Sequence, residues 1–163
     1  MLAAPYARRR VAALQGSDLY RAHERRAAAA GLVPTTGDDT QLARCGTELE
    51  AVVWFWWRVT DDGDDRVVLM VHQVVAAGGR LCPIDFAVFV VSEDGAQPGL
   101  ALFLDDPQVR RVRSPEEDRT SALEKGSWTV LRLTRDEINR DPLGCLAALR
   151  ARLRALLPAP IGA

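Results

Sequence analysis

Three apolar runs stand in close succession: "RVVLMVHQVVA" over 66–76, "LCPIDFAVFVV" over 81–91 and "LALFLD" over 100–105. They are rich in Val, Leu, Ile and Phe and are separated by the turn-forming stretches "AAGGR" and "SEDGAQPG". Short β-favouring runs bounded by Gly, Pro and Asp read as strands, and strands joined by short turns pair antiparallel. The third run is apolar without a break from Leu100 to Leu104, as in a strand covered on both faces. A sheet that buries both faces needs helices on each, and the rest of the chain has to provide them.

It does. Pro5 to Ala30 is rich in Ala and Arg and reads as helix in two pieces, broken at Gly16-Ser17 and stopped by Gly31. "GLVPTTGDDTQLARCG" reads as a loop with one helical turn. In "TELEAVVWFWWRVT", Thr47 and Glu50 form a capping box, and Leu49, Val52, Val53 and Trp56 share a helical stripe. Val, Trp and Phe also favour a strand that would pair across "TDDGDD"; helix is the reading adopted. Ser114-Pro115-Glu116-Glu117 opens a helix ending at Gly126, and "SWTVLRL" is a fourth strand. Asp141-Pro142 opens a last helix whose Leu146, Leu149, Leu153 and Leu156 form a stripe before Pro158. One domain over 45–163 is expected, preceded by an Arg/Ala-rich helical extension and loop over 1–44.

Of the 163 residues, 48% are hydrophobic and 26% charged, which suits a globular chain and excludes a disordered or fibrous one. The net charge of -1 hides an asymmetry. Arg8, Arg9, Arg10, Arg21, Arg25 and Arg26 crowd the start, and Asp61, Asp62, Asp64 and Asp65 form an acidic loop. Cys45, Cys82 and Cys145 are far apart and lack C-x-x-C spacing, so they read as reduced thiols rather than a disulfide or zinc framework. No apolar run reaches the roughly 18 residues a membrane span needs, and no signal-peptide core follows the arginines. A cytoplasmic location is expected.

Asp85 near the start of the second strand and Asp105 at the end of the third fall at the same end of the sheet. Pairing Val90 with Leu100 sets them opposite each other on one face; pairing Val91 with Leu100 sets them on opposite faces. In the first register the two carboxylates repel unless a cation or proton intervenes, and hard oxygens suit Mg²⁺ or Mn²⁺. The competing reading makes Asp85 a strand-entry carboxylate after Pro83, and Asp105 and Asp106 turn initiators before Pro107.

The succession "VHQVVAAGGRLCPIDFAVFVV", "GLALFLDDPQV", "PEEDRTSALEKGSWTVLRLTRDEI" and "DPLGCLAALRARL" resembles the restriction-endonuclease-like superfamily, in its very-short-patch-repair branch, over about 48–157. Ile84-Asp85-Phe86 matches that family's acidic second-strand element. Glu117-Asp118-Arg119 and "GSWTVLR" match its charged helix and following strand. The resemblance implies a mixed four-stranded sheet flanked by helices and a metal-dependent DNA endonuclease. Asp85 and Asp105 would bind Mg²⁺ or Mn²⁺ with the Leu104 carbonyl. Glu48 or Glu50 would orient a ligand water, and Asp118 would support a ligand or act as a base. Phe103 stands at the family's usual glutamate, Asp106 at its glycine and Val109 at its histidine. The alternative is a module that has lost catalysis and binds nucleic acid or a protein.

Arg110, Arg111 and Arg113 follow directly and would bind DNA phosphates, or form a solvated loop. His72 reads as a core histidine, and Gln73 and Lys125 as ordinary strand and helix-end residues. Trp54, Trp56 and Trp57 read as core or a protein contact, with base stacking as the alternative. A protein partner would use this Trp-rich segment or the N-terminal helices.

Overall fold

The computed structural model describes residues 4–35, 39–108 and 116–158. In chain order they form α1 (Ala4–Gln15), α2 (Asp18–Ala29), α3 (Thr40–Arg44), α4 (Glu48–Val59), β1 (Val67–Ala77), β2 (Arg80–Ser92), β3 (Gly95–Asp105), α5 (Glu116–Lys125), β4 (Thr129–Thr134), α6 (Arg135–Arg140) and α7 (Pro142–Leu156). The fold is α/β, with one four-stranded mixed sheet in the order β1-β2-β3-β4 and helices on both faces. β1, β2 and β3 form an antiparallel meander, and β4 joins β3 in parallel after the α5 crossover.

Local chemistry sets the boundaries. Ser17 caps α2 by accepting from the Tyr20 N–H at 3.3 Å, and Asp141 caps α7 by accepting from the Gly144 N–H at 2.9 Å. Thr47 caps α4 through the Glu50 N–H at 3.2 Å, so the ambiguous Trp-rich stretch is helical. β1 turns into β2 through Gly78 and Gly79, whose φ angles of +55° and +77° suit the primed turns of two-residue hairpins. The expected loop before β3 contracts to a two-residue turn at Glu93-Asp94, and β3 begins already at Gly95. A bulge follows at Val88/Phe89, where a Cβ on Gly99 would lie 2.5 Å from the Val88 carbonyl oxygen. The six-residue helix α6 was not foreseen, although Thr134 and Glu137 make a reciprocal capping box.

Two apolar clusters hold the layers together. α4 is buried almost all round, through Val52, Val53, Phe55, Trp56 and Trp57, and packs on the sheet face formed by Leu69, Phe86, Val88, Leu100 and Leu102. Leu14 of α1, Tyr20 and Ala27 of α2 and Leu42 of α3 are buried in this same cluster, as are Leu146, Leu149 and Leu153 of α7. On the opposite face Ala122 and Leu123 of α5, with Trp128, cover Ala87, Ala101 and Phe103.

Candidate functional site

The middle of the sheet contains a reversal. Leu69, Val71, Phe86 and Val88 belong to the α4 cluster, whereas Val75, Ala77, Cys82 and Ile84 belong to the α5 cluster. Simple alternation would keep each odd or even series on one face. Pairing nevertheless keeps one register, from Val71↔Phe86 to Gln73↔Ile84. The two residues between, His72 and Asp85, stand abreast and absorb the change. His72 does so with a left-handed φ of +52°, strained for a residue with a Cβ.

A dedicated frame holds His72. Glu50, 1% exposed in the first turn of α4, accepts the Gly46 N–H at 2.5 Å and lies 2.7 Å from His72 Nε2. A carboxylate only accepts, so with Glu50 ionised Nε2 carries the proton. Arg44 Nη2 donates to the His72 carbonyl at 3.3 Å, and Gln41 Oε1 accepts the Val71 N–H at 2.8 Å. Gly46 leaves room for the ring: a Cβ there would lie 3.1 Å from His72 Cε1. His72 is therefore no core histidine, since its side chain is 38% exposed and its partner is a buried carboxylate. Neither the left-handed backbone nor this pairing has a signature in the spacing of the residues.

On the other side of His72, Asp85 is buried, and its Oδ2 accepts the Leu104 N–H at 2.9 Å. β2 and β3 pair as Phe86↔Leu102 and Val88↔Leu100. This is neither of the two registers weighed from the sequence. Continued by one residue, it sets Asp85 abreast of Phe103, two residues short of Asp105. β3 and β4 pair as Phe103↔Arg132, so one row crosses all four strands: His72, Asp85, Phe103, Arg132. Phe103 is buried, with the Arg132 guanidinium 5.3 Å from its ring centroid. Arg132 Nη2 also donates to Thr120 Oγ1 of α5 at 3.1 Å.

Asp105 continues the series Ala101 and Phe103, which faces α5, whereas Glu50 belongs to the α4 side. Asp105 is itself engaged within the chain. Asp106 initiates the turn by accepting the Gln108 N–H at 3.0 Å, and pairs with Arg135 of α6 at 3.1 Å. Among the described residues, no group of three or more His, Cys, Asp or Glu is placed to hold a metal ion. Arg110, Arg111, Arg113 and Val109 lie outside the described residues, as does the side chain of Asp118, whose backbone belongs to α5.

The remaining candidates have ordinary surroundings. Glu48 and Lys125 are exposed. Gln73 Nε2 donates to the Val71 carbonyl at 3.3 Å. Trp56 and Trp57 are buried and Trp54 packs against the same cluster, so this segment presents no open stacking platform. No helix among the described residues is long and apolar enough to cross a membrane. Comparison with known proteins finds no family model, curated relative or solved structure that matches the chain.

Proposed function

We propose that the chain is a restriction-endonuclease-like module that binds nucleic acid, its cleavage centre replaced by a structural row of residues across the sheet. The order of helix, three-strand meander, helix and parallel strand is compatible with that architecture. The observation that carries the reading is the row His72, Asp85, Phe103, Arg132. Each polar member is bound to the protein itself: His72 to Glu50, Asp85 to the Leu104 N–H, and Arg132 to Thr120 and the Phe103 ring.

Oxygen donors of the right class for Mg²⁺ are present in Asp85, Asp105 and the Leu104 carbonyl. We read their arrangement as favouring structural roles over a shared ion. Asp85 and Asp105 are two residues out of register, Glu50 is turned to His72, and an apolar ring stands abreast of Asp85. The function therefore rests on binding. Cations are available for it on α1 and α2, where Arg8, Arg9, Arg21 and Arg25 are exposed, and in the sequence at Arg110, Arg111 and Arg113.

Binding through phosphates is salt-dependent, and each lost contact lowers the slope of log affinity against log salt by about one. Fluorescence anisotropy with a labelled DNA duplex over a salt series tests this. The expected result is affinity that falls linearly on that plot, weakened and flattened by Arg110→Glu with Arg111→Glu. No binding at low salt, or binding indifferent to salt and to the charge reversals, would reject the nucleic-acid reading.

A further inference from the structure

We propose that His23 is a proton-operated latch that holds α2 on α4 and α6, and that mild acid releases α2 while the sheet stays folded. Both ring nitrogens are committed in the closed state. Nδ1 accepts the Trp56 Nε1–H of α4 at 3.0 Å, which leaves the proton of the neutral ring on Nε2, 3.0 Å from Asn139 Oδ1 of α6. A second proton goes to Nδ1 and sets two donors against each other. Trp56 is 1% exposed, so its N–H would then be buried without this acceptor.

The charged groups that act on the ring are cations, Arg26 of α2 and Arg135 of α6. Arg26 donates to the Asn139 and Arg140 carbonyls at 2.6 and 2.7 Å, and Arg135 pairs with Asp106 at 3.1 Å. From α4 the ring meets the Trp56 indole. Glu24, the neighbouring acid on α2, is exposed to solvent. Tyr20, the other titratable group on the buried face of α2, has its hydroxyl pushed up to about 12 by burial and stays neutral in acid. Burial, aided by both guanidiniums, holds the His23 pKa below its ordinary 6.5.

Release is local because α2 is thinly attached. Of its 12 residues, Tyr20, His23 and Ala27 are buried, and Tyr20 meets Phe55 edge-on with ring centroids 5.4 Å apart. α4, by contrast, is buried almost all round and packs on the sheet through its other faces. Elements with few buried apolar contacts open at lower free energy than the core they cover. Once α2 lifts, His23 takes up its proton in water, and Phe55 and Trp56 are uncovered. The latch ties exposure of an aromatic face of α4 to pH, and it does not depend on nucleic-acid binding.

Hydrogen exchange of the full chain tests this, read by mass spectrometry with labelling times scaled for the intrinsic pH dependence of exchange. In the open form the ring titrates near its ordinary value, so proton uptake multiplies opening about tenfold between about pH 7.5 and about pH 5.5. The expected result is that protection in α2 falls about tenfold over that range while β2 and β3 keep theirs. His23→Gln stays uncharged and should hold α2 protection within about twofold. Imidazole NMR shifts in wild type need no variant, and should show His23 taking up its proton in step with the loss of α2 protection. Unchanged α2 protection in wild type, or equal loss in His23→Gln, would overturn the proposal. So would loss of protection in α2 and the sheet together, or protonation of His23 with α2 still protected.

Discussion

Asp85 Oδ2 accepts the backbone N–H of Leu104 at 2.9 Å, just where the pairing of β2 with β3 ends at Phe86↔Leu102. A side chain thereby replaces a main-chain acceptor, and a buried donor on β3 is satisfied by an acid on its neighbour. The carboxylate that most invites a catalytic reading has a structural task.

The stability of Asp85 variants follows from that bond. Asp85→Ala leaves the Leu104 N–H without this acceptor in a buried place, which costs about 1–3 kcal/mol. Asp85→Asn retains a carbonyl oxygen that can accept, and its cost is smaller, within about 1 kcal/mol. Urea unfolding of the two variants measures the difference; equal stability of Asp85→Ala and wild type would remove the structural role.

A second buried polar chain makes stability depend on pH. Trp56 Nε1 donates to His23 Nδ1 at 3.0 Å, so the proton of the neutral ring sits on Nε2, 3.0 Å from Asn139 Oδ1. This joins α2, α4 and α6. Burial pushes the His23 pKa below its ordinary 6.5, aided by Arg26 and Arg135 and opposed by the Asn139 bond. The folded state resists a proton that the unfolded chain takes up near pH 6.5, so this contribution is complete above that value. It is lost progressively as pH falls from about 6.5 towards the folded-state pKa. Urea midpoints between about pH 8 and about pH 5 should fall more steeply for wild type than for His23→Gln, and parallel profiles would contradict the assignment.

The β1–β2 hairpin tip offers a paired test of packing. Gly78 has φ +55°, and a Cβ there would lie 2.7 Å from the Ala122 Cα of α5. Gly79 has φ +77° and nothing within 4 Å of its Cβ position. Gly79→Ala should cost only the strain of its backbone, about 1 kcal/mol. Gly78→Ala adds a collision with helix backbone and should cost about 2 kcal/mol or more. Equal melting temperatures for the two variants would show that the hairpin does not bear on α5.

Much of the fold was legible because it rests on local signals. The meander was written in apolar runs and turn residues, the break at Gly16-Ser17 in its residue types, and α7 in Asp141-Pro142 and its leucines. Thr47 decided the Trp-rich stretch for helix, but Glu50 did not complete the box: its side chain turned to the Gly46 N–H and His72. That outcome depends on what β1 brings beside α4, which no local pattern records. The register failed for a similar reason. A turn of two residues, a bulge beside Gly99 and a left-handed His72 each shift or rotate a strand, and none alters the apolar alternation enough to be read from it. The position of Asp85 near a strand start was visible in the sequence; its bond to the Leu104 N–H required the pairing.

A titration of the full chain with Mg²⁺ and with Mn²⁺ by calorimetry, run beside plasmid cleavage for wild type and Asp85→Asn, addresses the row across the sheet most directly. With Asp85 committed to the Leu104 N–H and Glu50 to His72, neither cation should bind stoichiometrically at the row and neither protein should cut DNA. A stoichiometric site lost in Asp85→Asn, or cleavage that requires Asp85 and a divalent cation, would contradict the structural role assigned to that row and restore a metal-dependent endonuclease.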